Sequence, residues 1–243
     1  MPVNGMNKRA LVTGASSGIG LAISRLLLRH GYEVTGISRR GIPAGLDDKN
    51  FTEMKLDLAN TNDIDRQFKP LLKQEIFDCF IHAAGYGTFG SIEQFSSKQI
   101  ERAIQVNLTS ALLLSRHLLP MFRKQQSGRL IFIGSESAVN TGRKGALYSA
   151  AKFGLRGFSQ ALRDDCASDG ILVSLINPGM VRSPFFDGLN FGPGAHQENA
   201  IEPEQVAELA WHILSSADNM IYDEVNLAPR VKNINFSAQK TKS

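Results

Sequence analysis

Apolar positions along the chain follow two alternating rhythms. Short runs rich in β-branched and aromatic residues, at 10–13, 34–37, 51–56, 77–82, 130–133, 171–176 and 221–227, read as strands. Between them the apolar residues recur at intervals of three and four, the spacing of a buried helix face. After Gly18 these are Ile19, Ile23, Leu26 and Leu27, and Gly31 supplies a left-handed stop. Leu147, Ala151, Leu155, Phe158 and Leu162 make a second such stripe. Ser96-Ser97-Lys98-Gln99 is a capping-box pattern that opens a long helical period towards Gln126, with a kink or interruption expected at Pro120. Pro203 fits the first turn of a last helix through Trp211 and Leu214.

Leu130-Ile131-Phe132-Ile133 is apolar on both faces, which suits a parallel strand covered by helices on either side. Seven strands alternating with helices therefore predict a doubly wound α/β fold with a parallel seven-stranded sheet. No internal repeat and no linker rich in Pro, Gly or Ser divides the chain. The expectation is one domain over 1–243, with loose ends at 1–6 and 233–243.

Composition narrows the class of function. With 42% hydrophobic and 21% charged residues the chain can fold on an apolar core and is not a disordered tail. A net charge of +4 is too small to mark a nucleic-acid or membrane surface. Cys79 and Cys166 lie far apart, with no CxxC and no histidine at zinc-ligand spacing, so neither a disulfide framework nor a metal is expected. The uncharged stretch around 11–24 is too short to span a bilayer, and the first residues carry no signal-like apolar segment. These features predict a soluble, cytoplasmic protein whose partners are small molecules.

Chemistry enters at the end of the first strand. Thr13-Gly14-Ala15-Ser16-Ser17-Gly18-Ile19-Gly20 joins it to the first helix, where glycines let the backbone approach a pyrophosphate and the helix N-terminus offers free N–H groups. A tight strand-to-helix turn also uses glycines, but the βαβ context running on to Ile37 favours a dinucleotide. Gly14-Ala15-Ser16-Ser17-Gly18 also spells the nucleophile elbow of α/β hydrolases. That elbow normally follows several strands, whereas only 13 residues precede Gly14, and no histidine stands in a triad context. At the end of the second strand, where a carboxylate would hold a free ribose 2′-hydroxyl, the chain has Ser38, Arg39 and Arg40. A hydroxyl and guanidinium groups suit a 2′-phosphate, so the expected cofactor is NADP(H), with Arg40 the weaker candidate of the pair.

Tyr148 and Lys152 stand four residues apart on one helix face. A cation about 4 Å from a phenol at an effective dielectric near 20 favours phenolate by roughly 4 kcal/mol, or about 3 pKa units, which would bring the hydroxyl into a range useful for proton transfer. Together with the glycine loop, Tyr148-Ser149-Ala150-Ala151-Lys152 makes the sequence resemble the short-chain dehydrogenase/reductase family over nearly its whole length.

That resemblance implies a Rossmann fold, a homodimer or homotetramer, and a set of roles. Ser135 would bond the substrate carbonyl, with Ser137 the runner-up, and Asn107 would hold a water between Lys152 and solvent. Tyr148 would exchange the proton, and Lys152 would also hold the ribose. The glycine loop, through Gly14, Ser16, Ser17, Gly18, Ile19 and Gly20, would cradle the pyrophosphate. Asp57 and Leu58 resemble the pair that contacts adenine; Pro178, Gly179, Val181 and Ser183 resemble the segment beside the nicotinamide. His82-Ala83-Ala84-Gly85 departs from the family's N-N-A-G, keeping only Ala84 and Gly85. The activity implied is hydride transfer between NADP(H) and a carbonyl or alcohol. A cofactor-binding sensor or scaffold without turnover is the other reading, and the intact Asn107, Ser135, Tyr148 and Lys152 set speaks against it. Residues 184–200, with Phe185, Phe186 and Phe191 among glycines, read as a substrate lid or as packing for a subunit interface. Glu224-Val225-Asn226-Leu227-Ala228-Pro229 loosely resembles the branch that oxidises small 3-hydroxy acids.

Overall fold

The computed structural model describes residues 8–41, 46 and 48–236. Seven parallel strands form one sheet: β1 (Arg9–Thr13), β2 (Glu33–Ser38), β3 (Phe51–Lys55), β4 (Cys79–His82), β5 (Gly128–Ile133), β6 (Ile171–Pro178) and, after the short β7 (Phe191–Pro193), β8 (Glu224–Leu227). Their order across the sheet is β3-β2-β1-β4-β5-β6-β8. The order reverses between β1 and β4, and Thr13 is level with both Ile37 and His82. A crevice therefore opens beyond the carboxyl ends of these strands, the place where such sheets bind ligands.

Strand alternation sorts the core into two layers. Ala10, Val12, Ile81, Ile131 and Ile176 pack with α1 (Gly18–Arg29) and α6 (Pro203–Ser215). Leu11, Phe80, Leu130, Phe132 and Leu175 face the other way, into a layer with α2 (Thr61–Gln74), α4 (Ser110–Gln125) and α5 (Ala146–Cys166). Both faces are apolar because both are covered, which is why the central strands show no polar alternation.

Several boundaries differ from the sequence reading. β4 begins at Cys79 and β8 at Glu224; Phe77 is buried in the second layer but lies off the ladder. The long helical period is broken at Asn107, not at Pro120: α3 (Ser97–Ile104) passes through a π turn at Gln105–Thr109 into α4. Asn107 Nδ2 donates to Ala103 O at 3.0 Å, taking the carbonyl that its own backbone N–H would use in a regular α-helix. α4 runs through Pro120 because both Pro120 and Arg116, whose carbonyl loses its partner, are exposed to water.

The expected loose end from residue 233 is corrected for its first residues. β9 (Ile234–Phe236) pairs antiparallel with β7, setting Phe236 opposite Phe191. The ladder gives these tail residues backbone partners that the polar tail sequence does not advertise. The remainder of that segment and the expected loose end at 1–6 lie outside the described residues.

Candidate active site

The glycine loop sits at the crevice mouth. Gly14, at φ +70°, donates its N–H to Ile37 O at 2.9 Å; a Cβ there would meet the Ala83 carbonyl and Ala84 at 3.0 Å. Gly20 is tighter still, since a Cβ would lie 2.4 Å from Gly14 O, so the loop closes on the helix only without side chains. Gly18 approaches Ser183, where a Cβ would stand 3.2 Å from the Ser183 Cβ. Ser16, Ser17 and Ile19 are half-buried along the same turn. Pro178 closes β6, Gly179 N donates to Leu227 O at 2.8 Å, and Val181 bridges Ile201. The 178–183 segment and the glycine loop thus border one crevice.

Deeper in, four of the predicted residues converge. Ser135 follows β5, its N–H bonded to Asn177 Oδ1 at 3.2 Å, and its Oγ accepts the Ser137 N–H at 3.1 Å. The Ser135 side chain is also near enough to the Tyr148 phenol to lower its pKa. Ser137 therefore supports Ser135 through its backbone, and Ser135 is the serine whose side chain acts on the Tyr148 phenol. Lys152 Nζ donates to Ile133 O at 2.9 Å and lies 5.8 Å from the Tyr148 ring centre. Asn107 spends both amide hydrogens, on Tyr86 O at 3.2 Å and on Ala103 O, while its Oδ1 accepts the Tyr86 N–H. A Cβ on Gly85 would fall 2.8 Å from Asn107 Oδ1 and 3.6 Å from Lys152 Nζ, so Gly85 keeps the space between them open.

Electrostatics here differ from the simple expectation. Burial pushes the Tyr148 phenol well above its usual range, and the Ser135 hydrogen bond only partly opposes this. Burial also lowers Lys152 to about 8. The ammonium is tied to a backbone carbonyl rather than held against the phenol, so desolvation outweighs its pull. The expected drop of about 3 units assumed a separation near 4 Å with no burial cost.

His82 explains how the departure from N-N-A-G is accommodated. Thr13 Oγ1 accepts the N–H groups of Ala83 and Ala84 at 3.2 and 3.1 Å, and its own proton goes to His82 Nδ1 at 3.0 Å. The Nε2 proton then points to Ser110 Oγ at 3.4 Å, and Ser110 donates to Val106 O at 2.9 Å. Burial, aided by the Lys152 charge, holds the imidazole neutral by lowering it to about 3. A single ring thus joins the glycine-loop strand to the π turn that carries Asn107. Asn177 plays a comparable part on the other side, donating to Glu224 Oε1 and Asn226 Oδ1 at 2.9 and 3.0 Å while it holds Ser135. Sequence reading singled out neither role; the available signal was a polar residue at the end of each buried strand.

At the far end, Ser38 Oγ is buried without a hydrogen-bond partner among the described residues. An orphaned hydroxyl beside exposed Arg39 and Arg40 fits a ligand carrying acceptor oxygens. Burial works against the Asp57 carboxylate, but the Ala59 N–H and Arg102 outweigh it, with Arg39 adding its charge, and hold Asp57 below its usual range. Leu58 is buried beside it.

A family model for short chain dehydrogenases matches residues 8–191. The chain belongs to the short-chain dehydrogenase family. A relative in Escherichia coli K12, an uncharacterised oxidoreductase named YbbO, is 31% identical over 223 residues, covering 87% of this chain and 82% of the relative. Among solved structures, an alcohol dehydrogenase from Thermococcus sibiricus complexed with 5-hydroxy-NADP superposes with a TM-score of 0.83 at 22% identity, over 94% of this chain and 99% of that one. A closed serine dehydrogenase complexed with NADP+ gives 0.81 at 24% identity, over 97% and 99%. Those two likenesses carry the fold. The short-chain dehydrogenase described here is thus an oxidoreductase with a Rossmann sheet, and among its described residues no helix is long and apolar enough to cross a membrane.

Proposed function

We propose that this short-chain dehydrogenase transfers hydride between NADP(H) and a carbonyl or alcohol substrate, with Tyr148 exchanging the proton. The observation that carries this is the convergence of buried Tyr148 and Lys152 with half-buried Ser135 at the carboxyl ends of the strands, the end that also bears the glycine loop. NADP(H), when bound, supplies or accepts the hydride. Gly14, Gly18 and Gly20 would let the loop close tightly enough to present its backbone to the pyrophosphate, and Ser38 with Arg39 would take the 2′-phosphate, Arg40 standing further out. Asp57 and Leu58 would border the adenine; Ala84, Gly85, Pro178, Gly179, Val181 and Ser183 would border the nicotinamide end.

The chain's own groups then divide the proton work. Burial keeps the phenol protonated, which suits Tyr148 to give its proton to a carbonyl oxygen during reduction. Ser135 donates a second hydrogen bond to that oxygen and polarises the carbonyl. Lys152, fixed by Ile133 O, presents its ammonium to the ribose hydroxyls and to the phenolate that forms. Asn107 Oδ1 keeps one lone pair, after the Tyr86 N–H, with which to hold a water on the way to solvent. Loss of NADPH absorbance on mixing the purified protein with a panel of ketones and aldehydes tests the reading. Cofactor binding without consumption across the whole panel would favour the sensor or scaffold instead.

A further inference from the structure

Five aromatic rings form a closed circuit that includes Tyr148. Phe89 lies 5.2 Å from Tyr148 between ring centres, Phe191 4.9 Å from Phe89, Phe186 5.9 Å from Phe191, Phe185 5.1 Å from Phe186, and Tyr148 5.6 Å from Phe185. They come from the loop after β4, the turn at Pro184–Phe186, β7 and α5. Loop and turn touch at Gly87, where a Cβ would meet Phe89 at 2.8 Å and Phe185 at 3.0 Å. Tyr148 is only 5% exposed beneath them, whereas the four phenylalanines are half-buried.

The ring-bearing segment is also held in shape. Val231 N donates to Glu198 O, Gly194 N to Asn233 O and Asn199 Nδ2 to Val231 O, all at 3.0–3.1 Å, and β9 pairs with β7. The ion pairs around it are closed. Arg182 binds Glu202 at 3.1 Å and the His196 carbonyl, Lys232 binds Glu136 at 2.8 Å, and Arg230 binds Glu198. Arg143 and Lys144 stand exposed in the turn before α5, outside any of these pairs.

Resting on the reductase reading, we propose that the substrate is an uncharged ketone or aldehyde bearing an aryl or comparably flat apolar group. Such a group would sit between Phe89 and Phe185 over Tyr148. To reach Tyr148 a substrate must part the rings, and a flat apolar group replaces each lost ring contact with a similar one. A carboxylate in the same place would face four phenyl rings, while Arg182, Lys232 and Arg230 are already held by carboxylates of the chain and Lys152 is tied to Ile133 O. The loose likeness to oxidisers of 3-hydroxy acids does not oppose this, because Glu224 and Asn226 spend their side chains on Asn177.

A matched pair of probes decides the matter: acetophenone and 4-acetylbenzoate, which share ring and ketone and differ by one carboxylate. With the full chain and NADPH, kcat/KM for acetophenone should exceed that for 4-acetylbenzoate by about 100-fold. Phe89→Ala and Phe185→Ala should each lower it about 10- to 100-fold, mainly through KM, and shrink the preference. Arg143→Ala combined with Lys144→Ala should leave acetophenone reduction unchanged. Equal or better reduction of 4-acetylbenzoate would overturn the proposal on the wild-type protein, whether or not the ring variants fold. So would efficient oxidation of 3-hydroxybutyrate with NADP+. If no carbonyl is reduced although NADPH fluorescence reports binding, the reductase reading itself fails and the substrate class falls with it.

Discussion

The crevice beyond β1 and β4 and the ring wall over Tyr148 are built on different principles. In the crevice, positions are set by directional bonds with little slack: Thr13 serves Ala83, Ala84 and His82 through one hydroxyl, and Gly20 has no room for a Cβ. In the wall, positions are set by ring contacts and by a strand pair only three residues long, β7 with β9. A ligand whose phosphates and ribose never vary calls for the first kind of construction. A variable ligand is better met by half-buried rings that can part and close again.

Tyr148 belongs to both regions, its hydroxyl to the crevice and its ring to the wall, so Tyr148→Phe separates them and carries the largest expected effect. Phenylalanine keeps the ring contacts and removes the hydroxyl near Ser135. We expect kcat to fall about 100- to 10,000-fold while NADPH binding stays. Single-turnover kinetics and a fluorescence titration measure the two separately. A variant that retained wild-type kcat would remove Tyr148 from the chemistry and leave only its part in the wall.

The crevice side is sharpened by Ser38→Asp. A carboxylate in place of the orphaned hydroxyl would repel a 2′-phosphate and accept a ribose 2′-hydroxyl. With each charge-assisted bond worth about 1.5–3 kcal/mol, the ratio of kcat/KM for NADPH over NADH should fall by about 100-fold or more. Steady-state kinetics with both cofactors on wild type and variant read this directly. A wild type that favours NADH would break the assignment of Ser38 and Arg39 and spare Tyr148.

The same contrast explains what could be read from the sequence. The sheet, the glycine loop and the Tyr148–Lys152 pair are local patterns, because strand burial and helix spacing put their meaning within a few residues. What sequence could not convey is contact between distant segments. Phe89 joins Phe191 across about a hundred positions, and β9 finds β7 through a ladder that either strand could make with other partners. The break at Asn107 lay between these cases. An asparagine inside an apolar helix signals competition for a backbone carbonyl, yet Pro120 is the louder helix breaker, and exposure made it harmless.

His82→Ala probes how far the crevice depends on one ring. It would leave the Thr13 hydroxyl proton and a lone pair of Ser110 without partners and open a cavity between β4 and the π turn. The expected cost is about 2–4 kcal/mol of stability by urea unfolding. His82→Asn restores an acceptor and a donor and should recover roughly half of it. If His82→Ala unfolded like wild type, the ring would not be what joins β1 to the π turn.

The smallest effect expected is a pH slope from Lys152. Its pKa falls from 10.5 to about 8 on folding because the ammonium is buried. Between those values the unfolded chain holds a proton that the folded chain has released. Stability from this group is therefore full above about 10.5 and is lost as pH falls towards about 8. Tyr148, Cys79 and Tyr32 work in the opposite sense at high pH, since burial raises each of them. Wild-type curves alone would mix these contributions. Lys152→Met removes one term and leaves the others, so the stability difference between wild type and variant isolates it. Measured by urea unfolding at pH 8 and pH 10, that difference should move in favour of wild type as pH rises. A difference that stays flat would mean that the buried ammonium keeps its ordinary affinity for the proton, and that the bond to Ile133 O compensates it for the loss of water.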